Sequence, residues 1–337
     1  MILVTGGTGL VGAHLLYHLL QEHPKVRATH RKSSDLLSVQ TVFLSYTDAP
    51  EVLYQRIEWV EANLTDLPAL TQAFEGITQV YHCAAFISFN PKHYQALKKA
   101  NIEGTANVVN LCLHFQVEKL CYVSSIATLG HPVEATAFMD EHSAWNPEDR
   151  NSVYAITKYG AEMEVWRSSQ EGLKVVIVNP GVILGEGYWN SGSGVIVQRA
   201  AKGVHYVTDG GTGFVDVRDV VTIMIGLMKS NIHNEQFVLV AENLSYARLL
   251  ELFSNAFGKP APKKKASKML LMALSTLDGW SSKLFGTKRR LLKATVRSLF
   301  THSNYSSSKI QTALGANFTP IDLTIKRVAS AYQKDQS

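Results

Sequence analysis

The sequence predicts an α/β protein: a doubly wound parallel sheet with a smaller, mostly helical C-terminal lobe. Three observations carry that prediction. Apolar runs of strand length alternate with amphipathic runs of helix length, the order that builds a parallel sheet covered on both faces. The first apolar run, Ile2-Leu3-Val4, leads into Gly6, Gly9 and Gly12, spaced three apart, and then into the helical pattern of residues 13–20. Strand, tight turn and helix are the setting a dinucleotide-binding loop needs, since glycines let backbone approach a pyrophosphate at a helix N-terminus. Finally, 337 residues at 46% hydrophobic content are enough for one large core and a second lobe.

Composition narrows the class further. Charged residues are 18% of the chain and no low-complexity tract interrupts it, which argues against disorder. Cys83, Cys112 and Cys121 lie in apolar surroundings without metal-ligand spacing. They read as core thiols of a reducing compartment, and no metal site is expected. A core strand at the first residues leaves no room for a signal peptide, and no run has membrane-spanning length, so a cytoplasmic location is expected. The formal net charge of +5 is concentrated. Ten Lys or Arg fall between Lys263 and Arg297 against one acid, Asp278. A solvated helix face is the expected explanation, with an anionic membrane surface or ligand as the alternative. Nucleic acid is not expected as a partner, because no groove-reading or base-stacking motif accompanies the charge.

Taken in order, the second strand at residues 25–30 ends in Arg31-Lys32-Ser33-Ser34, with no acid before Asp35. A carboxylate there would hold the ribose 2′-hydroxyl of NAD. Two cations and two hydroxyls suit a 2′-phosphate instead, so NADP is the expected cofactor, with NAD the alternative. Residues 57–64 make a short strand and turn, and 66–74 a helix closed by Gly76. Residues 80–85 form a buried strand ending in the small Ala84 and Ala85. A long helix containing Asn101 and Gly104 precedes the strand that ends in Ser124-Ser125. Ligands bind at the carboxyl ends of such strands, where the glycine loop, Arg31, Ala84 and Ser125 should converge.

Tyr154 and Lys158, four apart, share one helix face. An ammonium beside a phenol should lower its ordinary pKa of about 10 and make Tyr154 an acid and base for alcohol–carbonyl interconversion. A serine hydroxyl at a strand end would hold the same oxygen.

Thr5-Gly6-x-x-Gly9-x-x-Gly12, His82-x-Ala84-Ala85, Asn101-x-x-Gly104-Thr105, Ser124-Ser125, Tyr154-x-x-x-Lys158 and Asn179-Pro180-Gly181 together resemble the extended short-chain dehydrogenases/reductases, in that family's order and spacing. Within them the chain is most similar to the dihydroflavonol 4-reductase and 3β-hydroxysteroid dehydrogenase branch. The resemblance implies a Rossmann domain over 1–180, rejoined by 214–235, and a substrate lobe from 181–213 and 236–337. It implies cofactor contacts at Gly6, Thr8, Gly9, Leu10, Val11, Gly12, Arg31, Asn63, Leu64, Ala84, Ala85, Tyr154, Lys158, Pro180 and Val182. The family's catalytic serine maps to Ser125 on a reductase alignment. Ser124 is its neighbour and alternative, and epimerase alignments point to Ile126. Asn101 corresponds to the asparagine that organises the proton relay in relatives. Asn63 is a departure, since the family usually places Asp beside the adenine.

Beyond Pro180, residues 210–220 look like the return into the core, with Asp219 starting a helix, and 243–312 should be helical and basic. Two aromatic and apolar sets are candidate pocket linings: Phe86, Ile87 and Phe89, and then Trp145, Tyr188, Trp189 and Phe214. The run Met269-Leu270-Leu271-Met272-Ala273-Leu274, flanked by lysines, is expected to pack on the lobe, with lipid contact as the alternative. A homodimer is expected through the helices at 101–115 and 154–167, where Val108, Val109, Leu111, Leu113, Met163, Val165 and Trp166 place apolar groups on more than one side. The expected activity is NADP-dependent hydride transfer on an alcohol or ketone of a small, fairly apolar substrate, using Ser125, Tyr154 and Lys158. A nucleotide-sugar epimerase or dehydratase, and more remotely a non-catalytic nucleotide sensor, are the rival readings.

Overall fold

The strands are β1 (Ile2–Thr5), β2 (Val26–His30), β3 (Ile57–Glu61), β4 (Gln79–His82), β5 (Lys119–Val123), β6 (Lys174–Pro180), β7 (Val182–Leu184), β8 (Tyr206–Val207), β9 (Gly211–Asp216), β10 (Glu235–Leu239), β11 (Glu242–Ser245) and β12 (Lys264–Lys265). They come from a computed structural model that describes residues 1–130, 138–285 and 291–336, with the backbone alone for 282–285. Seven strands form one parallel sheet in the order β10-β6-β5-β4-β1-β2-β3. The order reverses between β1 and β4, so the crevice where ligands bind lies above that junction.

Both faces of the sheet are covered, as the uninterrupted apolar strands require. On one side the helix Leu10–Glu22 buries Leu15, Leu16, Leu19 and Leu20, joined by Val220, Met224 and Leu227 of the helix Val217–Lys229. On the other, Phe74, Val108, Cys112, Ala161 and Val165 close over Leu120, Val175 and Ile177. The smaller lobe has its own core, in which Phe214, Leu249, Phe253, Ile325 and Val328 meet. It includes the three-stranded sheet β11-β9-β7.

Several boundaries differ from the sequence reading. The return to the large domain does not stop at residue 235, because β10 is itself the edge strand, with Phe237 and Val238 paired to Val178 and Asn179. Ile310, in the helix Ser308–Leu314, reaches the same core. The helix predicted to begin at Asp219 begins at Val217, where the Asp216 carboxylate accepts from the Arg218 N–H at 2.8 Å. The long helix around Asn101 is broken into Tyr94–Leu97, a π-helical turn at Lys98–Glu103, and Gly104–His114.

The apolar excess that suggested a dimer is mostly consumed within the chain. Val108, Val109, Leu111 and Val165 are buried in the core, and Leu113 and Trp166 pack against it. Of that set only Met163 is exposed. The helix Lys268–Phe285 also departs from expectation. It packs against the helix Lys293–Ser298, yet Met269, Leu270 and Leu274 face outward and not onto the lobe. Of the basic stretch, Lys288, Arg289, Arg290 and the side chain of Lys283 lie outside the described residues. Among the described residues no helix is long and apolar enough to cross a membrane.

Candidate active site

The glycine loop is dictated sterically at two of its three positions. Gly6 has φ +70°, and a Cβ there would stand 2.6 Å from the Ala84 Cα. A Cβ on Gly12 would meet the Gly6 carbonyl oxygen at 2.2 Å. Gly9 precedes the helix Leu10–Glu22 with no side-chain cap. The N–H groups of Leu10, Val11 and Gly12 therefore have no intrahelical acceptor and present an anion-binding end. Above them opens a cleft of about 390 Å³, lined by Gly6, Thr8, Gly9, Arg31, Asn63, Leu64, Ala84 and Ala85 among the predicted cofactor residues. Small side chains, free helix N–H groups and a cation at the far end fit a dinucleotide. Asn63 Oδ1 accepts from the Thr65 N–H at 3.3 Å, which fixes the side chain and leaves its amide N–H₂ as a donor into the cleft. His82 is structural: it is buried, hydrogen-bonded to Thr5 at 2.6 Å and Thr105 at 3.0 Å, and held neutral by burial, its pKa lowered to about 3.

At strand β2 the structure separates residues that the sequence grouped. Arg31 and Ser34 line the cleft, along with Thr29 and His30, whereas Lys32 and Ser33 do not. The Ser34 Oγ accepts from the Arg31 N–H at 3.0 Å, and the Arg31 carbonyl accepts from the Ser34 N–H at 2.8 Å, so this turn is locked. Phe86, Cys83, Ala96 and Ala100 are lining residues the sequence analysis missed as cofactor contacts.

The catalytic candidates lie where β5, β6 and the helix Val153–Gln170 meet. Ser152 caps that helix by accepting from the Ala155 N–H at 3.1 Å, which fixes the turn bearing Tyr154. The two serines divide the work. Ser124 is buried and donates to the Glu162 carboxylate at 2.5 Å. Ser125 accepts from the Ala127 N–H at 3.1 Å and is the hydroxyl that partners the Tyr154 phenol. Asn101, turned inward by the π-helical turn, accepts from the Phe86 N–H at 2.7 Å and donates to the Phe86 carbonyl at 3.0 Å. It also donates to the Thr157 hydroxyl at 3.2 Å.

The electrostatics reverse one expectation. Tyr154 is not lowered: burial pushes its pKa up to about 12, and the Ser125 hydroxyl opposes that only partly. Lys158, also buried, is instead lowered to about 7 by desolvation, with Glu162 and Cys83 pulling the other way. The reason is geometric. The Lys158 Nζ donates to the Tyr122 hydroxyl at 2.6 Å and the Val123 carbonyl at 2.7 Å, and stands 4.2 Å from the centre of the Tyr122 ring. Its charge is aimed at Tyr122 more than at Tyr154.

Glu162 was not anticipated. Its Oε2 accepts from Ser124, from the Thr128 hydroxyl at 2.9 Å and from the Asn179 amide at 3.0 Å. Burial raises its pKa, and those three donors and Lys158 oppose the rise. It stands four residues after Lys158 and eight after Tyr154, hence on the same helix face. The carboxylate ties the end of β5, the turn after Ser125 and β6 to the catalytic helix.

The first aromatic set partly gathers here: Phe86 lines the cleft, and Phe89 stands edge-on to Tyr154 at 5.5 Å. The second set does not converge. Trp145 stacks on Tyr159 at 4.5 Å, Tyr188 meets Ser38, Trp189 donates to Asp335, and Phe214 is buried in the lobe's core. Leu10, Val11, Gly12, Tyr154, Lys158, Pro180 and Val182 do not line the 390 Å³ cleft itself.

Residues 2–239 match the family described as "NAD dependent epimerase/dehydratase family". The chain is 26% identical over 319 residues to the sterol demethylase protein B of Methylococcus capsulatus, covering 93% of this chain and 92% of that one. It is 31% identical over 269 residues to a putative dihydroflavonol 4-reductase of Synechocystis, covering 77% and 73%. The solved UDP-glucose 4-epimerase of Thermotoga maritima shares the fold, with a TM-score of 0.77 at 19% identity over 100% of this chain and 99% of that one. The chain belongs to the NAD-dependent epimerase/dehydratase family, the extended short-chain dehydrogenases/reductases, and is an NAD(P)-dependent enzyme of that family.

Proposed function

We propose that this enzyme is an NADP-dependent oxidoreductase that interconverts an alcohol and a ketone or aldehyde of a small, fairly apolar substrate. The observation that carries the reading is the Ser125–Tyr154 pair, a protonated phenol partnered by a serine hydroxyl beside the exposed ring of Phe89. The cofactor preference rests on Arg31, the cation that lines the cleft beyond β2 where no carboxylate lines it. The two curated relatives are named for a sterol and a dihydroflavonol, both fused-ring molecules that carry oxygen on the ring, which agrees with an alcohol or ketone substrate of that kind.

The chemistry a nicotinamide supplies when bound is transfer of a hydride to or from carbon. What this chain provides is the proton and the hold on oxygen. The Ala127 N–H engages one lone pair of Ser125 and not its O–H, which can donate to the Tyr154 phenol or to a carbonyl oxygen. Tyr154, protonated at neutral pH, gives its proton to that oxygen as reduction proceeds and takes it back in the oxidative direction. The phenolate formed in reduction is stabilised by the Ser125 hydroxyl, the group that opposes burial at Tyr154. Asn101 holds Phe86 and Thr157, and with them the wall beside Tyr154.

The test is a turnover screen with NADPH and NADH against apolar ketones, aldehydes and nucleotide sugars. Reduction of an apolar carbonyl with NADPH is expected. Turnover of nucleotide sugars alone, without net consumption of cofactor, would replace this reading with an epimerase. With a substrate in hand, Tyr154→Phe should lower turnover by about 10²–10⁴-fold with cofactor affinity nearly unchanged.

A further inference from the structure

The helix Lys268–Phe285 is amphipathic in the wrong sense for a domain surface. Met269 is 83% exposed, Leu270 58%, Leu274 44%, Leu277 61% and Trp280 66%. At about 100° per residue these five occupy an arc of about 140° on one side. The opposite side carries Ser275, which is buried and donates to the Leu291 carbonyl at 2.9 Å, and Asp278, which accepts from the Leu291 N–H at 3.0 Å. Ser275 and Asp278, with the half-buried Leu271 and Met272, hold this helix to the protein, and five of its large apolar groups face out.

Charge indicates what covers that face. Lys268 opens the helix and is exposed, as are Lys263 and Lys264 just before it, Lys264 in β12. A cation in the first turn opposes the helix dipole, so local helix stability does not account for Lys268. Lys265 is paired with Asp209 at 2.8 Å. In sequence the stretch from Lys263 to Arg297 holds ten cations and one acid. A second copy of the chain on this face would bring two such cationic stretches together, whereas an anionic lipid surface offers acyl chains to the apolar arc and negative headgroups to the lysines. The helix is not long and apolar enough to cross a bilayer, so it would lie in the interface.

We propose that Met269, Leu270, Leu274, Leu277 and Trp280 seat this helix in the surface of an anionic membrane, with Lys263, Lys264 and Lys268 contributing electrostatic attraction. None of these residues lines the cofactor cleft, so the proposal stands independently of the substrate.

Co-sedimentation of the intact chain with vesicles of phosphatidylcholine, with and without phosphatidylglycerol, tests it. Binding should require phosphatidylglycerol and weaken as salt rises. Leu277→Ser with Trp280→Ser should weaken it about tenfold or more. Replacing Lys263, Lys264 and Lys268 by Gln should weaken it about a hundredfold, since each lysine near such a surface is worth about fivefold. All are surface changes, and unchanged circular dichroism and melting would show that the fold persists. Equal binding to neutral vesicles, or undiminished binding by either variant, overturns the proposal. So does concentration-dependent dimerisation that Leu277→Ser with Trp280→Ser abolishes.

Discussion

Two polar clusters in this molecule place acids and bases in the interior, and although burial pushes both toward neutrality, their net shifts are opposite. Beside Tyr154, Glu162 is raised and Lys158 lowered, so both are moved toward their neutral forms. Where Arg327 meets two carboxylates, Glu186 and Asp216 are lowered and Arg327 raised, so all three are held charged. The difference lies in contact. Arg327 reaches Glu186 at 2.6 Å and Asp216 at 2.8 Å, and Arg218 adds a second bond to Glu186 at 3.0 Å. Lys158 and Glu162 spend their hydrogen bonds on Tyr122, Val123, Ser124, Thr128 and Asn179, so each feels the other only at a distance. Direct pairing makes a latch, whereas separation leaves groups able to exchange a proton.

The comparison is broken most directly at Arg327. Arg327→Met removes the guanidinium from between two buried carboxylates and should cost about 3 kcal/mol in urea unfolding. A loss below about 1 kcal/mol would mean the latch is not paired as described. Acid comes next. His14 touches the second cluster through the Glu186 carbonyl at 3.2 Å and is lowered to about 4, while His82, beside the glycine loop, is lowered to about 3. The unfolded chain takes up protons on both below about pH 6.5 and the folded chain does not, so stability must fall as pH drops. Between pH 7 and 5.5 the two should remove about 2 kcal/mol, read as a shift in the urea midpoint that His82→Gln reduces.

Arg31 sharpens the comparison from outside, as an exposed cation without a carboxylate partner in its cleft. Arg31→Ala should weaken NADPH about tenfold and leave NADH nearly unchanged by calorimetry. Equal losses would remove the basis for the NADP preference. Lys158→Met should have the smallest effect on stability, a loss under about 1 kcal/mol or a gain, because it removes a charge that burial already disfavours, although turnover is lost. If it destabilises as much as Arg327→Met, the two clusters are of one kind.

Much of this was legible because it is local. The strand-to-helix alternation, the glycine loop and the four-residue offset of Tyr154 and Lys158 each express a periodicity that a short window contains. Arg31 was readable for the same reason, while Lys32 and Ser33, its equals in sequence, were separated from it only by the turn that Ser34 closes. The latch joins positions 111 residues apart in Arg327 and Asp216, and nothing near either residue announces the other. Glu162 had a signal: it continues the face of Tyr154 and Lys158, opposite the short polar residues Ser124, Thr128 and Asn179. In the run Glu162-Met163-Glu164, however, it reads as one of two surface acids. Strand β10 was misplaced because a short apolar strand after a helix looks the same at a sheet edge as in a separate lobe.

The π-helical turn at Lys98–Glu103 has a consequence for how this enzyme tolerates changes in length. Such a turn holds one residue more than the α-helix it interrupts. Deleting a single residue from 98–100 would let the turn close to an ordinary α-helical one, with the flanking helices kept near their present positions. The helix would survive, but Asn101, which lies within the widened turn, would lose its simultaneous grip on Phe86 and Thr157. A one-residue deletion here is therefore a local change, silent to helix content and to the sheet, that frees the segment carrying Phe86 and Phe89 from the tyrosine it borders.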